Sequence, residues 1–300
     1  MRPSTANTAP IVRLPVRACG TLLLIALLAA PAGADDTIAT DSGGGSLKPK
    51  WELGIAGAVG TEPDYPASDR YRPRPVAFPY FIYRGGFFRS DENGPRVRTQ
   101  IQPNVELTVS GSASFGSHAE SSGPRAGMPK LDYLFELGPN LRITALRLSP
   151  DSSLRLDLPL RAVFSLNGLH SAYQGLTFEP LLGLHTRNLF DSGWSGYAGV
   201  GPEWASGRIQ RYFYQVDAQY ALPDRPAYDA HGGYLGSRLE LGASHKLGRD
   251  FRVFLFSRID DYAGAENGDS PLYKTRFGYT ALAGLSWTFW RSHNLVQAPQ

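Results

Sequence analysis

Hydrophobic and polar residues alternate along most of this chain. Residues 154–164 place Leu154, Leu156, Leu158, Leu160, Ala162 and Phe164 at every second position, with Arg155, Asp157 and Arg161 between them. Residues 131–145 repeat the pattern: Leu131, Tyr133, Phe135, Leu137, Leu141, Ile143 and Ala145 are opposed by Asp132, Glu136 and Arg142. A period of two sends alternate side chains to opposite faces of a pleated strand. Ser149-Pro150-Asp151-Ser152, between the two runs, is turn chemistry. The spacing predicts a long hairpin with one apolar and one charged face. The same reading gives strands at 51–59, 74–83, 86–90, 96–101, 104–115, 172–185, 194–205, 233–247, 251–262 and 275–290. Pro159 falls inside a strand, where proline removes a ladder donor, so a bulge is expected there.

The connections sort by length. The long ones are 61–73, 116–129, 206–231 and 263–274, with 91–95 and 166–171 shorter. The tight ones fall at 84–86, 102–103, 148–152, 187–193 and 247–250. Long and tight connections alternate, as in outer-membrane barrels with long outer loops and short periplasmic turns. A soluble sandwich gives no reason for that segregation. Several strands exceed the ~5–6 residues usual in soluble proteins and reach the ~9–11 that a tilted membrane strand needs. The expected fold class is all-β: a transmembrane antiparallel up-and-down β-barrel of about 12 strands, with 10 as the alternative count. A secreted β-sandwich is the competing fold. In the last strand Phe277, Tyr279, Leu285, Trp287 and Phe289 share a face. Phe277, Tyr279, Trp287, Phe289 and Trp290 are the candidate girdle residues, since aromatics gather at membrane interfaces.

Composition narrows the picture. Gly (33) and Pro (23) are abundant, and charged residues make up only 19%. No apolar run in the body is long enough for a membrane helix. Arg2, Arg13 and Arg17 precede an apolar stretch at 21–30 and a small-x-small site at Ala32-Gly33-Ala34. That reads as a signal peptide over 1–34, cleaved near Ala34 for export to the outer membrane of a Gram-negative cell. A flexible Gly/Ser-rich segment, 35–50, then leads into a barrel at 51–290 and a tail at 291–300. Cys19 is the only cysteine and lies in the leader, so no disulfide or thiolate metal site is expected. Without Arg2, Arg13 and Arg17 the chain carries 27 basic against 27 acidic residues, which removes the electrostatic case for nucleic acid.

Strand parity assigns a lumen-facing charge set. It comprises Glu106, Asp132, Glu136, Asp157, Glu179, Glu203, Glu240 and Asp260, facing Arg142, Arg155, Arg161, Arg238, Lys246, Arg252 and Arg258. Selective pores show rings of one sign; the mixed signs here point to a cross-barrel ion-pair network and a narrow lumen. A solvated inner wall without specific function is the alternative. No catalytic constellation is found. His118, His170, His185, His231, His245 and His293 lack zinc-like spacing, and His170-Ser171 falls in a loop. No cofactor is expected.

Several stretches resemble a known family: Trp51-Glu-Leu-Gly-Ile55, 75–85, Gly127-Met128-Pro129, Phe135-Glu-Leu-Gly-Pro139, Leu156-Asp-Leu-Pro-Leu-Arg161, Tyr212-Phe-Tyr-Gln-Val216 and Ser270-Pro271. In this order they resemble the MipA/OmpV family, over roughly residues 51–289. The resemblance implies an outer-membrane barrel embedded in lipid and built by the barrel assembly machinery, which would read the terminal aromatic. It also implies a non-enzymatic scaffold for murein-synthesising and murein-cleaving enzymes. A narrow channel for small solutes is the second function class, and a lipid-modifying barrel enzyme a remote third.

Overall fold

A computed structural model describes residues 47–84, 88–91, 94–97, 99–117 and 123–297. Its strands are β1 (Leu47–Pro49), β2 (Trp51–Pro63), β3 (Tyr71–Arg84), β4 (Phe88–Asp91), β5 (Gly94–Val97), β6 (Thr99–Gln102), β7 (Val105–Ser114), β8 (Tyr133–Ser149) and β9 (Ser152–Asn167). Then come β10 (His170–Phe178), β11 (Leu181–Leu189), β12 (Trp194–Ala205), helix α1 (Gly207–Tyr214), β13 (Gly233–Leu247), β14 (Phe251–Asp261), β15 (Phe277–Arg291) and β16 (Leu295–Gln297).

One antiparallel sheet runs in the order β5-β4-β3-β2-β15-β14-β13-β12-β10-β9-β8-β7-β6, with β11 beside β12 and β9. Its two ends, β5 and β6, are separated in sequence only by residue 98, so the sheet comes back on itself as a barrel. Closure is the only way for a sheet to satisfy its backbone in lipid. Within this sheet the last strand meets the first: β15 pairs with β2, Trp287 opposite Ile55. The staves number about 12 once β5–β6 and β10–β11 are each counted as one.

The stave expected at 172–185 is broken at Glu179-Pro180. β10 pairs with the far half of β9 and β11 with the near half. The break explains Pro159, where the expected bulge is absent. Register there is unbroken, Asn140 opposite Pro159 and Leu141 opposite Leu158. Pro159 sits where β9 changes partners, and its carbonyl accepts from the Glu179 N–H at 3.4 Å. The missing proline N–H points the same way, into the gap, so no ladder bond is lost. The bulges of β8–β9 lie near the turn instead, between Thr144 and Leu146 and between Arg147 and Ser149. β15 bulges between Thr288 and Trp290, which breaks the alternation and leaves Phe289 and Trp290 both exposed.

The apolar face of the staves points outward: Val59 is 57% exposed, Leu160 46% and Leu255 45%. A belt of this kind suits hydrocarbon and not water. The buried hydrophobic core lies at one end of the barrel, where the long connections gather. Tyr65, Met128, Leu131, Ile209, Tyr214, Val216, Ala230 and Leu272, from four different connections or their flanks, form one cluster with Leu134, Val163, Ala205 and Leu235 of the wall. At the other end the lead does not stay patternless to Lys50. β1 pairs with β16, so the last residues of the lead and part of the tail form a ribbon. The barrel strand also runs one residue further than expected, to Arg291.

Candidate functional site: a charged lumen beneath a loop cap

Alternation places the charged side chains of neighbouring staves on the inner wall, and register decides which of them meet. Arg238 on β13 stands at the centre. Its guanidinium reaches Glu179 at 2.8 Å, Asp260 at 3.5 Å and Glu240 at 4.0 Å, and bonds Glu203. Arg161 bridges Glu179 at 2.8 Å and Glu136 at 3.5 Å, and donates to Ser110 Oγ at 2.9 Å. Arg258 bonds Asp260 at 3.0 Å, and Thr177 donates to Glu136 at 3.1 Å. These groups come from β7, β8, β9, β10, β12, β13, β14 and the β10–β11 break, so the cluster ties staves on different sides of that break. Glu179, Glu203 and Asp260 are buried. Charges so placed persist only when paired, because a lone buried ion costs several kcal/mol.

A second group lies toward the tight-turn end. Arg142 bonds Asp157 at 2.8 Å, and Asn140 donates to the same carboxylate oxygen at 2.6 Å. Glu106 is the register partner of Arg142. Arg155 donates to Ser153 at 3.0 Å; Lys246 and Arg252 are register partners. These three cations are not part of the Arg238 cluster. Asp132 also stands apart, ahead of β8 at the capped end. It pairs with Lys130 at 3.9 Å, and its N–H donates to the Tyr212 hydroxyl at 2.6 Å. Around Arg161, Arg238 and Arg258 the acids are in local excess, although the full parity set is near balance.

The neutral polar partners Ser110, Asn140, Thr177 and Tyr197, the last donating from its hydroxyl to Glu240 at 3.3 Å, are invisible in the charge pattern. Their signal was parity alone: each lies on the inner face. Glu52 and Arg84, joined at 2.6 Å near the tight-turn end, were also missed.

Among the described residues, the cap above the lumen is built by 64–70, 115–117, 123–132, 206–232 and 262–276. Residues 207–214, within the connection expected at 206–231, form helix α1; its Ile209, Gln210 and Tyr214 are buried. Tyr214 donates to the Pro66 carbonyl at 2.9 Å, and Tyr65 to the Leu272 carbonyl at 2.8 Å. Asn267 donates to Gln210 at 3.0 Å and to the His231 carbonyl at 2.8 Å. Arg225 clips two connections together by donating to the carbonyls of Pro124, Ala126 and Tyr220. Burial pushes the Tyr214 phenol well above its usual value and Tyr212 up to about 12, while it lowers Arg125. These phenols stay neutral and act as hydrogen-bonding struts.

The candidate girdle residues face out. Phe277, Tyr279, Trp287, Phe289 and Trp290 are all exposed. Tyr279 stacks on Tyr71 at 4.3 Å and Trp287 on Phe251 at 6.1 Å, while Trp290 meets Trp51 edge-on. Aromatic pairs therefore stitch the closing seam at both ends of β15. His170 and Ser171 are exposed at the start of β10. Among the described residues no bond joins His170 to a serine or a carboxylate, and no group of His, Cys, Asp and Glu could hold a metal ion. His118 lies outside the described residues.

The model of the family described as MltA-interacting protein MipA matches residues 54–289. The chain belongs to the MipA family. It is an outer-membrane β-barrel protein, and the family match spans the barrel wall and the cap together. Solved structures similar to this MipA-family chain include an outer membrane channel of Pseudomonas putida F1, with 12% identity, 84% of this chain and 100% of that chain covered, and a TM-score of 0.46. Outer membrane phospholipase A of Escherichia coli has 13% identity, 80% and 98% coverage, and a TM-score of 0.34. No curated protein matches.

Proposed function

We propose that this MipA-family protein is a sealed, non-enzymatic barrel that serves as an outer-membrane platform for murein-processing enzymes. The observation that carries the reading is the covered, charge-lined lumen. A hydrophobic cap core covers one mouth, and an ion-pair cluster centred on Arg238 lines the inner wall beneath it from β8 to β14. A barrel that passes nothing works through its surfaces. The family's description as MltA-interacting supports a murein-cleaving transglycosylase as one partner. Export by a signal peptide over 1–34 and folding by the barrel assembly machinery complete the proposal. The test is binding of a purified MltA-type transglycosylase to the detergent-solubilised barrel, with an unrelated outer-membrane barrel as control. Saturable binding to this barrel alone is expected; equal binding to both would overturn the reading.

A second reading, a narrow channel for small solutes, draws on the charged inner wall. It requires the cap and the Arg238 cluster to open.

A further inference from the structure

β12 runs directly into the cap, and β10 fixes the join. The Ser206 N–H donates to the Leu176 carbonyl at 2.9 Å, and the Ser206 hydroxyl accepts from the Leu176 N–H at 2.9 Å. Helix α1 then starts against Gly175, whose backbone is left-handed (φ 128°) and whose lack of a side chain leaves room for Ser206 and Arg208. This contact sets Arg208 over the outer face of β10, its guanidinium carbon 5.5 Å from the centre of the Tyr173 ring. Arg211 reaches back to the same place, and a Cβ added at Gly207 would lie 3.2 Å from its Nη1. Positions three apart share a helix face, and both arginines are exposed. Among the described residues neither makes an ion pair or a side-chain hydrogen bond. Glu266, which stands against Gly233, pairs with neither.

The outer wall beneath these arginines is ordered along the strands. One register row holds Leu182, Val200 and Leu239, all exposed. Closer to the cap, Trp204 meets Phe178 and Tyr234 of the neighbouring staves, each at 6.0 Å between ring centres. Closer still, Tyr173 lies edge-on to Phe164 at 5.8 Å. Arg208 and Arg211 follow at the start of α1. Aliphatic, aromatic and cationic side chains thus succeed one another toward the cap, which is the order of acyl chains, interface and headgroups in a membrane leaflet.

We propose that Arg208 and Arg211 bind the phosphate of an anionic lipid in the outer leaflet, whose chains lie along the Phe178–Trp204–Tyr234 belt. Long connections mark the outer side of such barrels, so the capped end meets the outer leaflet. Charge and height name the occupant: two guanidiniums carry no carboxylate partner, and they stand where the aromatic belt ends. The guanidinium fork takes phosphate oxygens in pairs, and stacking on Tyr173 holds the Arg208 plane in position. A soluble phosphate would gain the arginines alone. A phosphorylated lipid gains the arginines and the belt together. The site lies on the outer wall, so it depends neither on the luminal network nor on the platform reading.

The test counts the lipid that the purified protein retains in detergent, by native mass spectrometry. Lipid A with its phosphates is the probe, and dephosphorylated lipid A the comparison. Arg208→Ala/Arg211→Ala, in protein that keeps heat-modifiable migration, should bind the probe about tenfold more weakly, as the loss of charge-assisted hydrogen bonds requires. Lys130→Ala/Lys274→Ala removes the same charge from two exposed cap lysines and should bind it as the unmodified protein does. Equal retention of the phosphorylated and dephosphorylated lipids would overturn the proposal, since the chains alone would then hold the lipid. So would an equal loss in the two double variants, which is the mark of general attraction to a basic surface. Complete displacement of the probe by excess inorganic phosphate would make the site one for a soluble anion and would also overturn it.

Discussion

Arg238→Ala tests the luminal network at its most connected point. The guanidinium is 11% exposed and lies against Glu179, Glu203, Glu240 and Asp260. Its removal leaves Glu203 without its cation and leaves Glu179 with Arg161 alone. Removing one partner of a buried pair costs about 3–5 kcal/mol, mostly the penalty of the charge left behind. Lys130→Ala is the control. That lysine meets Asp132 at 3.9 Å and is 51% exposed, and an exposed pair is worth roughly 0–1 kcal/mol. Unfolding by urea in lipid vesicles, followed by heat-modifiable migration, should separate the two variants by at least ~2 kcal/mol. The double variant Arg238→Ala/Glu203→Gln should recover part of the loss, because it removes a stranded charge; coupled neighbours deviate from additivity by about 0.5–3 kcal/mol. If Arg238→Ala is as mild as Lys130→Ala, the inner charges are solvated individually and no network exists.

Tyr214→Ala, which empties a buried site in the cap and loses the bond to Pro66, should cost about 3–5 kcal/mol; proteinase K should then cut the cap while the barrel stays resistant. Leu285→Arg, on the outer face of β15, should impair insertion by roughly 2–4 kcal/mol near the midplane, read as loss of heat-modifiable protein. Deleting 295–300 removes β16 but spares the seam and should leave assembly intact; deleting 287–300 removes the end of β15 and should abolish it. Both are scored by outer-membrane recovery.

The barrel was legible because its signal is local. Lipid-facing and lumen-facing positions alternate on every stave, so Leu154 to Phe164 announced both the strand and its faces. Features that depend on non-local pairing were not legible. Pro159 reads as a defect until β10 and β11 are known to part beside it. Asp132 shares the parity of the luminal acids, yet it precedes β8 and joins the cap. The cap core escaped because Tyr65, Ile209, Tyr214 and Leu272 lie in irregular connections where no period marks the buried side; Tyr212-Phe213-Tyr214 was the only local hint. Phe289 and Trp290 share the outside through a bulge that a strict period of two does not foresee.

Single-channel recording in planar bilayers tests the sealed barrel most directly. With cap and Arg238 cluster intact, the purified protein should insert and give no stable conductance. Large, long-lived openings of porin size from the unmodified protein would contradict the account.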